Sequence, residues 1–161
     1  MLEVLFMKKM LLGKKEIYKI TNNFRLAILD AKEDRRFYFR DRMSNFPSGC
    51  CDDASDLLAY FLLEKYCIFT KQGNGVYRDG IPEHTTNHAW LIDEKGTYID
   101  ITATQFMFCG AFLSDIYVGK AFEFYNKLED INIKNNYDIT QDERLFKDYK
   151  IIMEYMPADL I

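Results

Sequence analysis

The sequence predicts an α+β domain: a first helix, a central helix, a run of strands and a last helix. Three observations predict it. In "CDDASDLLAYFLLEKY", Ala54, Leu57, Leu58, Phe61 and Leu62 recur at helical spacing and form one apolar stripe. The segment "NHAWLIDEKGTYIDIT" alternates about a glycine-containing turn, as a β-hairpin does. The closing "TQDERLFKDYKIIMEYM" returns to helical spacing, with Leu145, Tyr149, Ile152 and Met153 on its apolar side.

Taken in order, the first helix is expected from about Ile20 to Met43, where Phe24, Ala27, Ile28 and Ala31 repeat at helical spacing. Its end, "DRRFYFRDR", reads as a solvated helix terminus with the aromatic rings turned inward. "FPSG" breaks the chain, and the central helix runs from about Cys51 to Tyr66, with Ser55, Asp56 and Glu64 mostly off its buried stripe. From Lys71 to Asn87 the chain is polar and carries three glycines and a proline. Val76-Tyr77 is a short strand candidate there, and Gly73–Asn87 reads as a surface connection or a flap beside a site. The hairpin follows, then a strand candidate in "DIYVG", Asp115–Gly119. Thr140 and Glu143 have the spacing of a capping box at the start of the last helix.

The chain has 161 residues, 48% hydrophobic and 16% aromatic, enough for one core and too few for two domains. The formal charge of −4 argues against nucleic acid as a partner. No apolar run approaches a membrane span, so no membrane association is expected. The start has its apolar stretch before its lysines, the reverse of a secretory signal, and a cytoplasmic location is expected. "LEVLF" looks like part of an engineered protease-recognition linker; residues 1–6 are set aside and 7–161 are read as a single domain. Cys50, Cys51, Cys67 and Cys109 are expected as free thiols, with Cys67 and Cys109 assigned to packing.

The chemistry lies in "SGCCDD". A thiol becomes nucleophilic as a thiolate, and a helix N-terminus favours that form. Asp52 and Asp53 oppose it, so a base is required. Of the two histidines, His84 lies in the polar loop, whereas His88 begins the hairpin. A three-residue turn, Glu94-Lys95-Gly96 with Gly96 left-handed, pairs Asp93 with Thr97, Trp90 with Asp100 and His88 with Thr102. His88 and Asp100 then share a face as diagonal neighbours. A two-residue Lys95-Gly96 turn sends Asp100 to the other face. The first register gives a Cys51–His88–Asp100 order: nucleophile, proton carrier and orienting carboxylate. The Cys51 N–H is a natural oxyanion donor. Asn87 and Gln105 are candidates for a second, and the sequence does not choose between them. Trp90 shares the face of His88 and reads as core and as a wall beside the imidazole.

At these residues the sequence resembles the transglutaminase-like superfamily of papain-fold cysteine enzymes. The resemblance is carried by "SGCCDDASDLLAYFL", "NHAWLI" and "TYIDITATQF", from roughly Phe46 to Phe106. It implies a papain-like, transglutaminase-like fold: a Cys-bearing helix packed on a small antiparallel sheet, with flanking N- and C-terminal helices. It also implies acyl transfer through a thioester on peptide or side-chain amides, with a protein or peptide as substrate and no cofactor. By position the nucleophile falls on Cys51, and Cys50 takes the variable place before it. The family's usual aromatic just after the nucleophile is replaced by Asp52-Asp53, and no oxyanion glutamine precedes Cys51.

Two other readings compete. A zinc site built from Cys50, Cys51, His84 and His88 has permissible His spacing but adjacent cysteines, which are awkward tetrahedral ligands. A catalytically inactive binding module of the same fold keeps Cys51 as a small buried hydrophobe.

Overall fold

The computed structural model describes residues 12–161; the reading of residues 1–6 lies outside the described residues. Among the described residues nine elements of helix and strand follow in order: α1 (Lys14–Glu33), α2 (Cys51–Tyr66), β1 (Thr70–Tyr77), β2 (Thr86–Asp93), β3 (Tyr98–Asp100), β4 (Tyr117–Gly119), α3 (Glu123–Asn126), β5 (Glu129–Asn135) and α4 (Glu143–Glu154), with short 3-10 turns between them. The strands form one sheet in the order β4-β3-β2-β1-β5, and every neighbouring pair is antiparallel. The fold is therefore α+β, with helices before the sheet and a helix after it.

Strand alternation divides the core in two. Leu91 of β2 joins Ile20, Phe24, Leu58, Phe61 and Ile152 in the cluster between the helices and the sheet. Its neighbour Trp90 points to a second, aromatic cluster with Phe106, Phe112, Phe124 and Tyr125. The turn of the β2–β3 hairpin has Gly96 at φ 72°. Asp93 N donates to the Thr97 carbonyl at 2.9 Å, and Leu91 faces Ile99. This is the register of the three-residue turn.

The structure corrects several expectations. The first helix ends at Glu33, not near Met43. Arg35 adopts a left-handed φ of 55°, and its N–H donates to the Lys32 carbonyl, which turns the chain out of the helix. Of the aromatic residues beyond, Phe37 turns inward but Tyr38 and Phe39 are exposed. The polar stretch after Ile68 is an eight-residue strand paired along its length with β2, so Gly73–Asn87 is not one loop. The last helix is capped by Asp142, whose side chain accepts from Leu145 N at 3.0 Å, rather than by a Thr140–Glu143 box. Ser55 and Asp56 are buried. Cys109 is exposed and Cys67 half-buried, so packing does not account for Cys109.

No helix among the described residues is long and apolar enough to cross a membrane.

Candidate functional site

Helix α2 begins at the residue pair that the sequence singles out. Gly49 takes a φ of 70° and Cys50 is the N-cap, without a side-chain capping bond. The first N–H groups of α2, starting at Cys51, thus receive no side-chain cap from Cys50. The two thiols have different surroundings. Cys50 is fully buried in the helical core. Burial, then the Cys51 and Asp53 charges, push its thiol up to about 12, with Arg42 opposing. Cys51 lines an open cleft of about 530 Å³ together with Asn74, Asn87, His88, Gln105 and Asn132. Its thiol donates to the Asn87 carbonyl at 3.9 Å.

Asp52 and Asp53 were expected to oppose a thiolate. Both are paired instead. Arg42 binds both oxygens of Asp52, and Asp53 meets Arg42 at 3.4 Å and Arg144 of α4 at 3.0 Å. Burial acts to raise the Asp52 carboxyl, but the Arg42 hydrogen bond and charge outweigh it and hold it below the usual range. The arginines therefore offset much of the negative field at the start of α2.

Across the hairpin, His88 Nε2–H donates to Asp100 Oδ2 at 2.6 Å, with both side chains wholly buried. The three-residue turn makes this bond possible, because it sets Asp100 opposite Trp90 and diagonal to His88. Asp100 is itself held: Tyr125 Oη–H donates to Oδ2 at 2.9 Å, and Thr102 N–H donates to Oδ1 at 2.9 Å. Burial and the Asp100 charge keep the Tyr125 phenol far above its ordinary range, so it remains a donor. The imidazole packs edge-on to Phe106 at 4.6 Å and stacks with Trp90 at 5.8 Å. Burial, the largest influence on His88, disfavours its charged form. The Asp100 charge and hydrogen bond, with a contribution from Cys51, outweigh burial and push His88 up to about 9. The imidazole is therefore charged at neutral pH. Its other nitrogen, Nδ1, is buried and has no hydrogen-bond partner among the described residues.

The structure thus brings His88 and Asp100 into direct contact and puts Cys51 and His88 in the lining of one cleft. Of the two residues suggested as further donors, both line the cleft. Asn87 is exposed and presents its carbonyl to the thiol, whereas Gln105 Nε2 is buried and unpartnered. Three contributors were missed: Asn74, Thr102 and Tyr125. Thr102 was findable, since a residue two beyond an Asp is placed for an Asx-type bond. Tyr125 comes from a distant helix, and no local signal marks it.

The residues of the zinc reading do not converge. His84 is bound to Asp79 at 2.7 Å and His88 to Asp100. Among the described residues no group of three or more His, Cys, Asp or Glu is arranged to hold a metal ion. No family model, curated protein or solved structure matches the chain.

Proposed function

We propose that the chain is a cysteine-dependent acyl-transfer enzyme of transglutaminase-like, papain-type architecture, acting on peptide or side-chain amide bonds of a protein or peptide. Cys51 is the nucleophile, His88 the proton carrier and Asp100 the group that orients His88. The observation that carries the reading is the buried His88–Asp100 bond in the wall of the cleft that Cys51 also lines, with Nδ1 of His88 left unpartnered.

In this reading the Cys51 thiol loses its proton to solvent in the open cleft, and the sulfur turns from the Asn87 carbonyl toward the Nδ1–H of the charged imidazole. A charged imidazole beside the sulfur favours the thiolate. The sulfur attacks the amide carbonyl carbon and forms an S–C bond, and the carbonyl oxygen takes up negative charge. The Cys51 N–H at the helix start is placed to receive that oxygen. His88 gives its Nδ1 proton to the leaving nitrogen and becomes neutral, the C–N bond breaks and a thioester remains. Water or an amine then attacks the thioester, giving its proton to the neutral His88; the C–S bond breaks and the Cys51 thiolate leaves beside the imidazole, which is charged again.

The test is a generic acyl donor, p-nitrophenyl acetate, followed by peptide mass mapping. An acetyl thioester on Cys51 that turns over, and that disappears in Cys51→Ala, supports the reading. Acetylation confined to lysines, or spread over exposed Cys109 with Cys51 untouched, removes it.

A further inference from the structure

We infer that Asn74 is the side-chain donor for the carbonyl oxygen of the acyl group attacked by Cys51, a role that rests on the acyl-transfer reading above. The two residues of β1 that share a face, Gln72 and Asn74, are one pleat apart. Gln72 is anchored on the first turns of α2: its Nε2 donates to the Asp52 carbonyl at 3.2 Å and to Asp56 Oδ1 at 3.0 Å. Asn74 continues along the same face, beyond that anchor, and lines the cleft that Cys51 lines at the helix start. Its Nδ2 is buried and has no hydrogen-bond partner among the described residues. A buried amide donor without an acceptor is unusual in a folded protein, and an acyl oxygen bound in the cleft supplies the missing acceptor.

The local backbone is built around this residue. The β1–β5 ladder shifts register between Asn74 and Val76, and Asp130 on the facing strand takes a φ of 52°. Irregularities of this kind re-aim side chains beside sites. Asn74 fits the role better than the residues suggested by sequence. Asn87 turns its backbone carbonyl, an acceptor, toward the sulfur, and its side chain lies in an exposed position rather than a buried one. Gln105 also has an unpartnered amide nitrogen among the described residues, but it sits on a 3-10 turn, Ala103–Cys109, rather than on the strand that Gln72 anchors to the start of α2.

Two electrophiles on one thiol separate this role from any effect on the thiol itself. With p-nitrophenyl acetate, sulfur bonds to the carbonyl carbon, the carbonyl oxygen becomes an oxyanion, and p-nitrophenolate then leaves with the C–O electron pair. With iodoacetamide, sulfur displaces iodide from a methylene carbon and no oxyanion forms. Asn74→Ala, and the similarly sized Asn74→Leu that leaves no cavity, are each compared with the unaltered chain and with Gln105→Ala. Loss of one such donor is expected to slow Cys51 acetylation about 100-fold while alkylation of Cys51 stays within about two-fold. An equal loss of both rates, or no loss of either, overturns the assignment, as does a selective loss in Gln105→Ala but not in the Asn74 variants. If Cys51 of the unaltered chain resists both reagents, the acyl-transfer reading itself has failed and the role of Asn74 falls with it.

Discussion

His88 concentrates the electrostatics of the candidate site in one ring. In a hydrophobic wall of Trp90, Phe106 and Phe124 an isolated imidazole would be held neutral; Asp100 reverses that preference. The consequence is a pH dependence with a definite sign. The folded chain binds the His88 proton up to about pH 9, while the unfolded chain releases it near the ordinary histidine value of about 6.5. The stabilisation from this pair is therefore complete below about pH 6.5 and is lost as pH rises to about 9, a span worth about 3 kcal/mol. Urea unfolding measured across that range should show the decline. Asp100→Asn should be less stable than the unaltered chain at pH 6 and should flatten the curve between pH 6.5 and 9. A slope that survives Asp100→Asn assigns the dependence to other groups. At the same scale, the adjacent cysteines differ by position and not by chemistry: one side chain fills the helical core and the next lines the cleft. The sequence offers both as equals, and the family resemblance, not the residue types, favoured the second.

At the scale of elements, legibility followed periodicity. Helix α2 was readable to its ends because its apolar stripe is bounded by a turn before Cys51 and by a change of period after Tyr66. The hairpin was readable as an element but not in its register: the sequence left a two-residue and a three-residue turn open, and the left-handed Gly96 with the Asp93–Thr97 bond selects the three-residue turn that brings His88 to Asp100. Strand β1 was readable only at its end, Val76-Tyr77: "TKQGNGVY" has two glycines and few apolar residues, yet it pairs with β2 along its whole length and with β5 along much of it. Strand β5, "EDINIKN", is exposed throughout and is held by pairing rather than burial, which leaves no apolar pattern to detect. Missing β1 also hid Asn74. The glycines of β1 have a structural reason at Gly73, which lies against the indole of Trp90. A Cβ at Gly73 would stand 2.4 Å from Trp90 Cε2 and 2.6 Å from Nε1. Trp90 is buried and enclosed by Tyr98 and Tyr125, so it has little room to withdraw. Gly73→Ala is accordingly expected to cost about 2 kcal/mol by overpacking, read as a lower urea midpoint. An unchanged midpoint would show that the indole moves freely.

At the scale of the whole molecule, the sheet is a partition. Helices α1, α2 and α4 fill one side, and a separate aromatic cluster supports His88 and Asp100 on the other. The cleft opens where α2 begins beside β1, β2 and β5, so one end of a secondary-structure scaffold carries the thiol, the imidazole and the amide side chains. Sites built in this way hold their groups by rigid elements rather than loops. The measurement that tests the central claim most directly is the rate of Cys51 alkylation by iodoacetamide between pH 5 and 10, mapped peptide by peptide, for the unaltered chain and for His88→Ala. Exposed Cys109 serves as the comparison thiol in the same tube. The account predicts that Cys51 reacts at pH 6 at least ~10-fold faster than Cys109, that buried Cys50 stays unmodified, and that His88→Ala abolishes the advantage of Cys51 at low pH. A Cys51 that reacts no faster than Cys109 and ignores His88 would contradict the account, and the chain would then be a binding module with a thiol packed at the start of a helix.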